Sequence, residues 1–210
     1  MIKRILILIL ITNVVAFSQE ESKMLDSYLK LKNKIPSGIQ VQSSDFDSAK
    51  CALAITGYIK THFESFTTKE KMILKAASER PERDTSIVSP KGFFRIHYNK
   101  SGNEAPGYDL NKFALAADSA YDYEINVLKY PPPPIDNGRG GDNLYDIYIE
   151  NLSGGVYGYT EFEDNITDYT YRSYIVIDND FSNYATKGLN GARATIAHEF
   201  HHAIQIGNYI

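Results

Sequence analysis

A short run near the C-terminal end of this chain, His198-Glu199-Phe200-His201-His202, constrains its fold more than any other stretch. On a helix, at about 100° per residue, His202 falls roughly 40° round from His198, and Glu199 roughly 100° round on the same side. Leu189, Ala192, Ile196, Phe200, Ala203 and Ile204 occupy the opposite arc, so the segment reads as an amphipathic helix seated on a core. It should begin near Gly188 to Asn190 and stop near Gly207-Asn208, where a glycine can cap it. A site carried by a packed helix is rigid.

The residue types at that spacing suit a metal. Neutral imidazoles bind Zn²⁺ through nitrogen. Bound water then becomes acidic enough to attack near neutral pH. A neighbouring carboxylate can take its proton and pass it to a leaving amine. His198 and His202 are therefore the candidate zinc ligands and Glu199 the candidate catalytic base. His201 also faces His198 at i,i+3. It lies on the far side from Glu199, however, which would part the base from the metal, so it reads as a supporting or packed residue.

The start of the chain reads as a secretory signal peptide over residues 1–18. Lys3 and Arg4 form the charged end, Ile5 to Ala16 the apolar run, and Ala16-Phe17-Ser18 a small-x-small cleavage site before Gln19. The run is too short for a comfortable membrane span. We expect a secreted or periplasmic protein with no stable membrane insertion after cleavage. The formal charge of −4 becomes −6 without Lys3 and Arg4, and no basic footprint for nucleic acid is present. Cys51 is the single cysteine, so an internal disulfide is excluded. Its setting, Ala49-Lys50-Cys51-Ala52-Leu53-Ala54-Ile55, reads as a buried inert thiol. No flanking motif supports a thiol that blocks zinc.

Residues 19–88 read as a helical N-terminal segment, either a small domain or a propeptide, with helices over Glu21–Lys32, Ser48–Lys60 and Thr68–Glu79. From Ser89 the pattern changes. Phe93 to Tyr98 alternates as a strand, and His97 on it reads as a packed histidine. Leu110 to Leu128 has helical spacing and ends at the Pro131–Pro134 run. Leu144 to Glu150 is a strand. Gly154 to Thr160 interleaves glycine with tyrosine, as an edge strand or a point of close backbone approach would. Glu161 to Asp168 reads as an acidic loop, and Tyr174 to Asp178 as an apolar central strand. The acids of Asp136–Asp142 and Asp178–Asp180 offer ligands to Ca²⁺ but lack EF-hand spacing. The fold class is α+β: a mixed sheet, a long backing helix and the histidine helix, after a helical N-terminal segment.

From about Gly92 to Gln205 the order of elements resembles the zincin superfamily of metallopeptidases. Phe93 to Tyr98, Gly140-Gly141-Asp142 with Tyr145 to Tyr148, Tyr157-Gly158-Tyr159-Thr160, Ile177 to Asp180 and Ala197 to Gln205 are similar to a family of exported bacterial metalloproteases. The resemblance implies a zincin-like twisted sheet over residues 89–210, zinc on His198 and His202, and Glu199 as base. It also implies a substrate-pairing edge strand at Val156, Tyr157, Gly158 and Tyr159, a role with a physical basis because an extended peptide can add to a sheet edge. Gln205 and Asn208 stand where a metzincin has Gly and His. The gluzincin-like type, with its third ligand a Glu on a later helix, is the better match. Residues 203–210 contain no Asp, Glu, His or Cys. The expectation is thus an N-terminal piece of a longer zinc endopeptidase acting on peptide or protein substrates, with weak zinc binding and little activity in these 210 residues alone. Two alternatives stand beside it: a non-catalytic exported module binding peptide or glycan through the tyrosines of Tyr145 to Tyr174, and a zinc hydrolase of non-peptide bonds.

Overall fold

The computed structural model describes residues 19–34, 51–152 and 155–209. The signal peptide, the start of the helix expected from Ser48, and Gly154 of the Gly/Tyr run lie outside the described residues. In chain order the main elements are α1 (19–31), α2 (Leu53–Thr61), α3 (Thr68–Ala77), β1 (Thr85–Val88), β2 (Phe94–Tyr98), α4 (Leu110–Tyr121), β3 (Tyr145–Glu150), β4 (Gly158–Thr167), β5 (Thr170–Asp178) and α5 (Gly188–Asn208).

The five strands form one mixed sheet in the order β1-β2-β3-β5-β4. The central pairs β2/β3 and β3/β5 are parallel, and the outer pairs β1/β2 and β4/β5 antiparallel. From β3 the chain passes to the far edge as β4, and a hairpin returns it as β5 between the two. The architecture is therefore α+β, as expected.

Alternation along the strands assigns the two faces. Phe94, Ile96, Ile147, Ile149, Ile175 and Ile177 meet Phe113, Ala114 and Ala117 of α4 and Ala192, Ile196, Phe200, Ala203 and Ile204 of α5. Tyr148, Tyr159, Tyr174 and Val176 point the other way, into Tyr28 and Leu29 of α1, Ile55 and Ile59 of α2 and Leu74 of α3. The sheet is thus covered on both sides, and the N-terminal helices form a layer of the fold. A capping box, Thr67 with Glu70, starts α3.

One buried ion pair fixes that layer. Lys32, just past α1, places Nζ 2.9 Å from Glu161 Oε2 and 3.1 Å from the Tyr174 hydroxyl. The ammonium also sits 4.6 Å from the centre of the Tyr159 ring. Burial alone would favour the neutral amine, but the Glu161 carboxylate outweighs it and raises the lysine pKa.

Three local expectations change. Residues 161–167, expected as an acidic loop, form the second half of β4. Their charges are met from other elements: Glu161 by Lys32, Glu163 by Arg80 at 2.7 Å, and Asp164 by Arg172 at 2.8 Å. The expected helical segment ends in a strand, since Thr85–Val88 pairs with β2. Gly207 is not a cap. Helix α5 continues through it, and an added Cβ would lie 2.4 Å from Pro134 Cδ, so the residue makes room for the proline run.

Candidate metal centre

Helix α5 turns its apolar arc into the core, which aims His198 and His202 outward and together. Their rings meet at 82°, with centroids 4.4 Å apart. The Nε2 atoms are 3.0 Å apart. Two imidazole lone pairs cannot face each other at that distance without a proton or cation between them. His202 Nδ1 lies 2.7 Å from Gln205 Oε1. A proton on Nδ1 donated to that amide oxygen leaves Nε2 as the free lone pair, the tautomer a metal ligand needs.

Glu199 sits beside them but inside the protein, 1% exposed. Its Oε2 accepts from Thr160 Oγ1 at 2.9 Å, and the same hydroxyl is 3.0 Å from the Glu199 carbonyl oxygen. Among the described residues Oε1 has no partner. Burial pushes the carboxyl up to about 7, against the opposing pull of the Thr160 hydrogen bond and of His202. Thr160 belongs to β4, and β4 runs close under α5. A Cβ on Gly158 would come within 2.7 Å of Thr195 Cγ2 and 2.8 Å of the Val176 carbonyl oxygen.

The third member of the cluster is Cys51. Its Sγ is 3.2 Å from His202 Nε2. Among the described residues, Cys51, His198 and His202 form the group whose donor atoms, all within 4.8 Å of one another, could hold one ion. Leu53, two residues on, packs against Phe162 of β4 and Ile206 of α5. Ile206 is one helical turn beyond His202, so this contact carries Cys51 to the histidines. The thiol expected to be buried and inert is half-exposed and at ligand distance. No local motif marks it.

The donors fit zinc. Zn–N bonds of about 2.0–2.1 Å and Zn–S bonds of about 2.3 Å in tetrahedral array set neighbouring donors roughly 3.3–3.6 Å apart. Two of the three separations, 3.0 and 3.2 Å, lie within a few tenths of an ångström of that, and the third is no more than 4.8 Å. Thiolate and imidazole are also the donor types zinc favours.

The other expected residues lie as follows. β4 is an edge strand, paired with β5 alone in the sheet, and it begins at Gly158, so Val156 and Tyr157 precede it. Val156 and Tyr159 are buried in the core shared with the N-terminal helices. Tyr157 packs edge-on against Tyr184 at 4.4 Å. Of the four, Gly158 and Tyr159 lie in β4 just before Thr160, the residue that contacts Glu199. His201 turns away, 3.4 Å from Glu124 and edge-on to Tyr130. His97 is held by Asp146 at 2.7 Å and stacks on Tyr148. The acids weighed for calcium have other work. Asp142 pairs with Arg95, and Asp178 accepts backbone N–H groups from Leu152, Asp180 and Phe181.

Comparison with protein-family models, with curated proteins and with solved structures returns no match. No helix among the described residues is long and apolar enough to cross a membrane.

Proposed function

We propose that the chain carries the catalytic centre of an exported, zinc-dependent endopeptidase of zincin-like, gluzincin-related type. The observation that carries this reading is the facing Nε2 pair of His198 and His202 beside the buried Glu199, whose Oε1 has no partner among the described residues. His198 and His202 hold the ion. Zinc bound there supplies Lewis acidity to a peptide carbonyl and lowers the pKa of a water. Thr160 holds Oε2 of Glu199, so Oε1 is the atom that takes the proton from water and returns it to the departing amine. The unpaired side of β4 offers backbone donors and acceptors to an extended peptide substrate. Residues 1–18 direct export.

The test uses protein expressed from the whole reading frame, zinc-loaded, with a fluorescently labelled unfolded protein as substrate. Glu199→Gln should keep the zinc and lower hydrolysis by about 10²–10⁴-fold. His202→Ala should lose both. A zinc-loaded protein whose hydrolysis survives both changes, or that binds peptide without cleaving it, sinks the proposal.

A further inference from the structure

We infer that Cys51 is a protein ligand of the same metal centre, which makes it a Cys-His₂ site built from two layers of the fold. The inference rests on the reading of His198 and His202 as metal ligands and deepens it. Three observations converge on the thiol. Its sulfur is 3.2 Å from His202 Nε2, the atom that the Gln205 contact leaves as a lone pair. That nitrogen is in turn 3.0 Å from His198 Nε2, and the three donor atoms all lie within 4.8 Å of one another. Behind them, Oε1 of Glu199, without a partner among the described residues, belongs to a side chain only 1% exposed.

The position of Cys51 is set by packing on both sides of the cluster. Leu53 packs against the cluster of Phe162, Tyr171 and Ile206, and Gly57 of α2 lies against the ring of Phe162, 3.8 Å from a built Cβ. The layer that brings the thiol is itself anchored by Lys32 and Glu161 across the sheet. Cys51 therefore stands at the histidines two residues ahead of the packed helix α2. On binding, the thiol releases its proton to solvent and coordinates as thiolate. The thiolate brings one negative charge to the ion. His198 is exposed, so the ion keeps a side open to water and substrate.

The experiment is metal binding by the purified chain with Co²⁺ and Zn²⁺ alone. The Co²⁺-loaded chain should take up one ion and show a near-ultraviolet thiolate-to-cobalt charge-transfer band. Cys51→Ser should abolish that band, keep the weaker ligand-field absorption of a histidine-bound ion, and weaken zinc binding by more than about a hundredfold, exceeding the loss typical of an outer partner. A cobalt complex without the band, with Cys51→Ser binding zinc as tightly as the unaltered chain, overturns the inference and leaves the two-histidine reading standing. Absence of any bound metal overturns both. Should Cys51→Ser fail to fold by circular dichroism, the unaltered chain decides. Zinc must protect Cys51 from alkylation in the folded protein, and an unchanged alkylation rate overturns the inference.

Discussion

Gln205 Oε1 lies 2.7 Å from Nδ1 of His202, one helical turn beyond it on the same helix. With the His202 proton on Nδ1 and donated to this oxygen, Nε2 is the lone pair that faces the cluster. Gln205→Leu should leave the fold intact, because the residue is only half-buried. Zinc affinity should drop about 10–100-fold, as it does when an outer hydrogen-bond partner of a ligating histidine is removed. Competition with a chromophoric chelator measures it; unchanged affinity would show that the amide does not set the tautomer.

Thr160 and Glu199 give the second prediction. The hydroxyl is the one described side-chain donor to this buried carboxylate. Thr160→Val keeps the shape and deletes the donor, so both carboxylate oxygens are left unmet. We expect a loss of about 1–3 kcal/mol in urea denaturation, with lower turnover and zinc content unchanged. Full stability in the variant would refute this role.

Lys32 and Glu161 give the third. Both are 3% exposed, so removing one strands a buried charge. Lys32→Met should cost about 3–5 kcal/mol, while Lys32→Met combined with Glu161→Leu should recover much of it. Denaturation of the two single variants and the double variant reads the coupling. Additive losses would mean that the pair does not act as a unit.

The fourth concerns pH. Asp136, 6% exposed, lies 2.9 Å from Arg80 and near Asp146. Burial, then its hydrogen bond to Asp146, raises its pKa from 3.8 to about 6, against the pull of Arg80. Between those values the folded chain binds more protons than the unfolded one. The contribution of this group is therefore fully favourable below about pH 4 and is lost as pH rises through 6. Asp136→Asn removes that dependence, so the melting temperature of the variant relative to the unaltered protein should climb from pH 4 to 7. A constant difference across that range counts against it.

The fifth is steric. Gly158→Ala places a methyl group 2.8 Å from the Val176 carbonyl oxygen and 2.7 Å from Thr195 Cγ2, where backbone and helix must shift. A loss of about 1–3 kcal/mol is expected, and Thr160, two residues on, should lose register with Glu199. Wild-type denaturation and turnover in this variant would contradict it.

The elements legible in the sequence were those whose pattern is local. Ile175 and Ile177 alternating with Tyr174 and Val176 read as a central strand, and the 3.6-residue rhythm of Ile196, Phe200 and Ala203 read as a packed helix; both are present. What escaped depended on distant partners. Glu161, Glu163 and Asp164 look like loop residues until Lys32, Arg80 and Arg172 arrive from other parts of the chain. Cys51 sits among apolar neighbours that make any thiol look like core, and only the Leu53 contact with Ile206 shows where it goes. His198, Glu199 and His202 converge as their spacing on one helix requires, whereas the side chains of Val156 and Tyr159 turn into a core that periodicity alone could not foretell.

Cys51 and His202 are 151 positions apart in the chain. In the unfolded polymer the two histidines remain neighbours, but the sulfur is a remote and independent group. An ion that engages all three donors therefore discriminates between the folded and unfolded populations, and by mass action it shifts the balance toward the former. At a free concentration a hundred times its dissociation constant, that shift is about 2.7 kcal/mol. A chelator would thus act on the ion-loaded protein as a mild denaturant, loosening a contact between the residue leading into α2 and helix α5 as it strips the histidines.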